Sequence, residues 1–302
     1  MKVFITGGLG FVGRYITDIL LRLGHEVTAT GQRKSPKAPE HANFRYIIAD
    51  TTREGDWQQA AATADVLVNL AGRSIFKRWN ESYKKQIHDS RILTTRHLVQ
   101  AISTDRPVTL LSTSAVGYYG DQQDDMLMET RPPGDDFLSA LSVDWETEAL
   151  AAEKKGARVA ITRFGIVLGN GGGALAKMLP AFKLFLGGPI GNGNHWVPWI
   201  HIGDVAGALL YVMENSDCRG PFNFTAPAPV RYREFSKALG RATGRPSFMK
   251  TPAFAVRLAM GELGNVLLSS QRVVPHRLLE AGYKFKFTDI DSALKDLVQS
   301  DP

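Results

Sequence analysis

Lys2-Val-Phe-Ile-Thr-Gly-Gly-Leu-Gly-Phe-Val-Gly13 is the stretch whose reading decides the fold. Lys2 to Thr6 reads as a short buried strand, and an amphipathic helix follows the glycines. Gly7 lets the chain turn sharply, because a Cβ there would penalise a positive φ. Gly10 lets backbone approach a pyrophosphate, and Gly13 lets the helix pack on the strand. The first helical turn then aims unpaired N–H groups and the positive end of the helix dipole at the phosphates. Two spacings fit: Gly8-x-Gly10-x-x-Gly13, the general dinucleotide fingerprint, and a second version counted from Thr6-Gly7. The residues expected to cradle the ligand are Gly7, Gly8, Leu9, Gly10, Phe11, Val12 and Gly13. A glycine-rich strand-to-helix turn with no ligand is the competing reading, so the rest of the chain must decide.

Working outward, the first helix runs from about Phe11 to Leu23 and stops at Gly24. The second strand, His25 to Thr30, ends in Gly31-Gln-Arg33-Lys34. An NAD site usually carries an Asp or Glu here for the ribose 2′-OH. The only nearby acid, Glu26, sits at the wrong end of the strand. Arg33 offers a planar fork and Lys34 a point charge, which suits the 2′-phosphate of NADP(H). A solvated basic turn is the alternative. Phe44 to Ala49 is a third strand. Asp50 at its end is expected at the adenine edge, or as a cap for the following helix. Asp65 to Gly72 is a fourth strand ending in small residues, where a bulky side chain would obstruct the cofactor. A long helix, Asn80 to Ile102, leads to the fifth strand, Val108 to Ser114. Strands alternating with helices at these intervals predict an α/β, doubly wound parallel sheet.

Composition bounds the function. The 302 residues, 44% apolar, suffice for a full core. No window approaches the roughly 20 apolar residues of a membrane span, and no targeting segment is legible at the start, so no membrane partner and a cytoplasmic location are expected. Cys218 is the only cysteine, which excludes a disulfide framework and a cysteine metal site. The net charge of +6 is scattered without basic runs interleaved with aromatics, so nucleic acid is not the expected partner. His195 and His201 lack a third ligand at metal spacing, and a structural role is expected for both.

Thr6-Gly-Gly-x-Gly-x-x-Gly13, Asn69-Leu-Ala-Gly72 and Ser112-Thr-Ser114-Ala-Val-Gly-Tyr-Tyr-Gly120 together resemble an extended short-chain dehydrogenase/reductase, the nucleotide-sugar epimerase class. Arg78-Trp79, Ser90-Arg91, Trp145-Glu146, Gly187 to Gly191, Trp199-Ile-His-Ile-Gly-Asp204 and Gln271-Arg-Val-Val-Pro275 are similar to its atypical "epimerase family protein" subgroup, which carries a C-terminal domain of unknown function. The resemblance covers Met1 to about Leu297. It implies a Rossmann-type sheet with a smaller C-terminal substrate lobe, and NADP(H) as cofactor. By matching positions it implies cofactor contacts at the glycine loop, Arg33, Leu70, Ala71, Gln86, Arg91 and Val167.

Ordinary members of that class carry Tyr-x-x-x-Lys on the helix after strand five, and no tyrosine of this chain has a lysine four residues on. Leu141 would take the tyrosine place and Trp145 the lysine place, and neither exchanges a proton. Ser114 remains to orient a carbonyl or hydroxyl. Tyr118 and Tyr119 are candidate acids, with pocket walls as their simpler role. Glu146 is a further candidate, but a helix-surface carboxylate is usually solvated. Beyond the sixth strand, Arg158 to Gly169, the helix Ala174 to Leu186 and the loop Gly187 to Asn194 are expected on the substrate side, and Asp204 as a helix cap. The expected division is a core over 1–165, interleaved substrate-side segments over 166–248 and a small domain over 249–302. The leading expectation is an NADP(H)-dependent oxidoreductase or epimerase-like enzyme acting on a small molecule such as a nucleotide-sugar. The rival is a non-catalytic NADP(H)-binding sensor or scaffold. The oligomeric state is left open, a homodimer among the alternatives.

Overall fold

The structure, a computed structural model, describes residues 1–34 and 37–299. Three strands, β1 (Lys2–Thr6), β2 (Glu26–Gly31) and β3 (Phe44–Ile48), lie parallel, with Lys2 opposite Glu26 and Val27 opposite Phe44. On the other side of β1 come β4 (Val66–Asn69) and β5 (Thr109–Ala115). A short β6 (Met126–Leu127) stands outside this sheet, and β7 (Arg158–Phe164) pairs with β5. Three more short strands follow, β8 (Ile166–Leu168), β9 (Trp196–Val197) and β10 (Trp199–His201), before β11 (Gly220–Phe224) closes the sheet against β7. The order β11-β7-β5-β4-β1-β2-β3 is doubly wound, and its direction reverses between β1 and β4. In such sheets that reversal opens a crevice at the carboxyl ends of the strands.

The period of two in the strands divides the core. Val3 and Ile5 of β1 face a cluster with Ile16 and Leu20 of α1 (Phe11–Arg22). Phe4 faces the opposite cluster, built with Trp57 of α2 (Trp57–Ala62), Leu98 of α3 (Glu81–Gln100) and Ala149 of α4 (Phe137–Leu150). Val66, Val68 and Leu67 of β4 divide in the same way. A third cluster forms a core outside the main sheet. It joins Leu175 and Phe182 of α5 (Leu175–Lys183), Trp199, Phe235 and Leu239 of α7 (Tyr232–Thr243), and Leu294 of α11 (Ile290–Gln299). Further elements are β12 (Val230–Arg231), which pairs with β9, α8 (Ala253–Met260), α9 (Glu262–Leu268), β13 (Arg272–Val273), which pairs with β6, and α10 (His276–Glu280). The last three residues of the domain expected over 249–302 lie outside the described residues.

Four boundaries differ from the sequence reading. The sixth strand does not run on to Gly169. It bends at Gly165, where a Cβ would sit 2.3 Å from the Pro198 carbonyl, and Ile166–Leu168 leaves the sheet to pair with β10. The helix expected to reach Leu186 ends at Lys183, with Pro180 inside it. The sequence of the small domain also reads as a helix from Ala253 to Leu263, and that helix breaks at Gly261, whose φ is +61°. Asp204 is not the cap of α6 (Ile202–Glu214): the His201 Nδ1 accepts the Gly203 N–H there. The Asp204 carboxylate instead takes N–H bonds from Lys286 at 2.7 Å and Phe287 at 2.9 Å and the Tyr283 hydroxyl at 3.2 Å, tying the last segment to α6.

Candidate functional site

The glycine loop leaves β1 through Gly7, with φ +69°. A Cβ on Gly13 would lie 2.3 Å from the Gly7 carbonyl oxygen, and one on Gly8 would lie 2.6 Å from the Ala29 Cβ. Gly10 differs: among the described residues, the one atom that a Cβ there would meet within 4 Å is the Gly7 oxygen, at 3.1 Å. Its face is open, and as N-cap of α1 it has no side chain to satisfy the first-turn N–H groups. That is the geometry an anionic group needs at a helix start. Leu9 and Val12 are buried or half-buried around the turn, while Phe11 is overlaid by Gly169, Gly172 and Gly173 of the next crossover. A Cβ on Gly173 would also meet the Val167 carbonyl at 3.0 Å, so Val167 stands over the same loop.

Across the crevice, Thr6 organises the end of β4. Its hydroxyl donates to Asn69 Oδ1 at 2.7 Å and accepts from the Leu70 and Ala71 N–H groups, each at 3.2 Å. Asn69 Nδ2 continues to Thr95 Oγ1 at 2.8 Å, and the Trp145 indole N–H donates to that same hydroxyl at 2.9 Å. Trp145 is thus a hydrogen-bonded wall of the core. Leu141 packs with Trp79, Ile87 and Leu263. The Arg91 guanidinium lies over the Trp145 ring, 5.1 Å from its centroid, and 3.2 Å from where a Gly72 Cβ would be. It donates to the Ile87 and Arg73 carbonyls, and desolvation lowers its pKa to about 10. Gln86 is exposed on the same helix, its amide 3.5 Å from the Ser82 hydroxyl.

Arg33 and Lys34 are exposed beyond β2, and the Tyr46 hydroxyl donates to the Arg33 carbonyl at 3.3 Å. Asp50 does not cap the next helix. Its carboxylate accepts from the Thr52 hydroxyl at 2.7 Å and the Thr52 N–H at 3.1 Å. Burial opposes its charge, but these bonds and one from Gln32 hold its pKa below the ordinary carboxylate value.

Ser114, Tyr118 and Tyr119 all meet in one buried polar network whose centre the sequence reading missed. Glu146 is not solvated: it is 8% exposed. It accepts the Ser114 Oγ–H at 2.7 Å, and Arg163 binds both its oxygens at 2.8 Å. Arg163 Nη1 also donates to the Tyr119 hydroxyl at 2.9 Å, which donates in turn to Asn223 Oδ1 at 2.7 Å. The guanidinium lies flat on Tyr118, 3.5 Å from its ring centroid. Burial opposes the charge of Arg163, yet Glu146 and Tyr119 hold it above the ordinary arginine range. Tyr119 is fully buried, and desolvation pushes its pKa to about 12 despite the Arg163 charge, so it neither lines a cavity nor gives up its proton readily. A signal for this cluster stands in β7 itself, where Arg163 interrupts a buried strand and so demands a carboxylate partner.

Beyond β5 lies a polar cavity of about 600 Å³, lined among others by Asp121, Asn192, Asn194, His195, Arg231 and Arg233. His195 is 9% exposed, and its Nε2 has no hydrogen-bond partner among the described residues. Burial lowers its pKa to about 4 against a weak pull from Asp121. His201 does have a structural role, with Nδ1 in the cap and Nε2 3.3 Å from Asp296.

The NAD dependent epimerase/dehydratase family matches residues 3–224, and a domain of unknown function, DUF1731, matches residues 251–297. The Mus musculus epimerase family protein SDR39U1 is 39% identical over 306 aligned positions, covering 99% of this chain and 100% of that protein. The crystal structure of human SDR39U1 (isoform 2) with NADPH superposes with a TM-score of 0.87 at 35% identity, covering 99% of this chain and 100% of the other. MoeE5 in complex with UDP-glucuronic acid and NAD has a TM-score of 0.81 at 19% identity, covering 99% and 98%, and shares the fold. The chain belongs to the NAD dependent epimerase/dehydratase family, as an extended short-chain dehydrogenase/reductase with the C-terminal domain of unknown function.

Proposed function

We propose that this chain binds NADP(H) and acts as an oxidoreductase or epimerase-like enzyme on a hydroxyl or carbonyl compound of the nucleotide-sugar kind, without a Tyr-x-x-x-Lys pair. The observation that carries the cofactor reading is the open Gly10 face before an uncapped helix start, with Arg33 and Lys34 at the end of the neighbouring strand. Diphosphate would rest on the loop from Gly7 to Gly13, and the 2′-phosphate on Arg33 and Lys34. Leu70, Ala71, Gly72, Gln86, Arg91 and Val167 would line the rest, and Asp50 the adenine edge. Human SDR39U1, crystallised with NADPH, supports this choice.

The bound nicotinamide would supply hydride exchange. Proton work falls to Ser114, whose own hydrogen is already held by Glu146. As a substrate hydroxyl loses its proton to Ser114 Oγ, the Ser114 proton passes to Glu146, and Arg163 holds that carboxylate in place. The route runs backwards for a carbonyl. The polar cavity, where Arg231 and Arg233 stand beside Asp121, Asp124 and Glu234, offers hydrogen-bonding groups of both kinds to a hydroxyl-rich substrate, in keeping with the UDP-sugar bound by MoeE5. A second reading, an NADP(H)-binding sensor or scaffold without turnover, is favoured by the burial of Leu141 and Trp145 and by the 1% exposure of Ser114.

Fluorescence titration of NADPH and NADH tests the cofactor. Arg33→Ala/Lys34→Ala should weaken NADPH at least tenfold and leave NADH within about twofold; equal losses would sink the 2′-phosphate assignment. Incubation with NADPH and a library of carbonyl compounds and nucleotide-sugars tests the chemistry. Turnover abolished by Ser114→Ala supports the enzyme, and tight NADPH binding with no turnover supports the sensor.

A further inference from the structure

Outside the main sheet, the molecule leaves a set of large apolar side chains uncovered. Leu184, Phe185, Leu186, Phe248, Phe254 and Leu258 are each between 50% and 74% exposed. They come from two strips joined by backbone: the Met249 N–H donates to the Gly187 carbonyl at 3.1 Å and the Thr251 N–H to the Pro189 carbonyl at 3.0 Å. Phe185 holds a φ of +62°, a conformation unfavourable for an aromatic residue, and stands half-exposed there. Contiguous apolar exposure of this kind marks an interaction surface rather than ordinary scatter.

The charges around that face are predominantly positive. No acid occurs from residue 154 to 203 or from 235 to 261, the runs that build it. Lys183, Arg245, Lys250 and Arg257 are exposed within those runs. Of the bordering acids, Glu234 accepts the Arg231 N–H and Glu262 pairs with Lys84, while Asp291 pairs with Arg241 and offsets one cation of the face. Beside the apolar strip lies a shallow hollow of about 380 Å³, lined by Lys237, Gly240, Arg241, Gly244, Arg245 and Ser247. Arg245 joins the two features, its guanidinium 4.5 Å from the Phe185 ring centroid.

We propose that this face docks on the surface of a membrane containing anionic phospholipid, its aromatic and leucine side chains entering the acyl boundary and its cationic hollow receiving phosphate headgroups. Bulky apolar tips ringed by Lys and Arg are the composition of interfacial binders. A second copy of the chain fits worse, because two such faces would bring like charges together. No helix among the described residues is long and apolar enough to cross a membrane, and adsorption needs none.

Flotation with phosphatidylglycerol/phosphatidylcholine vesicles, against pure phosphatidylcholine vesicles, tests the proposal on the full chain. Binding is expected on the anionic vesicles only, falling at least tenfold in 0.5 M salt. Phe254→Ser/Leu258→Ser and Lys250→Gln/Arg245→Gln should each reduce it about tenfold, with thermal midpoint and NADPH binding unchanged. No binding to anionic vesicles, or binding that both variants retain, would overturn the proposal. So would a concentration-dependent dimer in wild-type protein that Phe254→Ser/Leu258→Ser abolishes, since the face would then belong to a second copy.

Discussion

Glu146 and Arg163 are 8% and 3% exposed and exchange two hydrogen bonds of 2.8 Å. Such a pair adds little over a packed apolar replacement, but breaking it strands a buried charge at a cost of about 3–5 kcal/mol. Glu146→Ala should therefore lose about that much in urea unfolding, while Glu146→Leu/Arg163→Met loses much less. A loss below about 1 kcal/mol for the single variant would mean that Arg163 finds water instead. The sequence offered Arg163 as an anomaly in an apolar strand, yet its partner lies 17 residues away on a helix that by spacing alone reads as a solvated face. Ser114, Tyr118 and Tyr119 stood out because they follow a strand end. Which of them reaches a cavity depends on the packing of α4, and sequence spacing does not carry that information.

Elements were legible where one periodicity governs them. β1, α1 and α7 follow from apolar spacing with glycine at the bends: a helix from Tyr232 to Thr243 is what the sequence there reads as, and α7 spans those residues. The segments that failed are those whose ends are set from outside. β7 stops at Gly165 because Pro198 presses on it, and α6 is capped by His201, which frees Asp204 for the C-terminal segment. That carboxylate is 1% exposed and receives two N–H donors and a hydroxyl. Removing it leaves the two N–H donors without that acceptor, at about 1–3 kcal/mol each if they stay buried, while the Tyr283 hydroxyl keeps the Asp204 carbonyl oxygen at 3.2 Å. Asp204→Ala should thus speed amide exchange across 283–299 by tenfold or more and leave the amides of β1 and β4 unaltered. Uniform acceleration over the whole chain would assign Asp204 to the global core instead.

At the scale of the whole molecule, stability should depend on pH through groups buried uncharged. The parallel sheet and its crevice were foreseeable from strand and helix alternation, but the burial of His195 was not, because it depends on α7 folding back. Its ring stacks on Tyr232 at 4.8 Å between centroids, and desolvation outweighs Asp121 to place its pKa near 4. Burial likewise lowers His201, although Asp296 and Asp204 pull it upward while Lys286 adds to the lowering. An unfolded histidine titrates near 6.5. Between about pH 6.5 and 4 the unfolded chain therefore binds more protons than the folded one, so stability must fall as the pH falls through that window. Asp50, Asp89 and Asp289, held below their ordinary values, extend the loss to lower pH with the same sign. The thermal midpoint should drop steadily from pH 7 to 4.5, and His195→Gln should flatten that drop while leaving the midpoint at pH 7 nearly as it was. A midpoint that holds or rises on acidification in the wild-type chain would mean that His195 takes up its proton in the folded state, and that the polar cavity rather than the packed ring sets its charge.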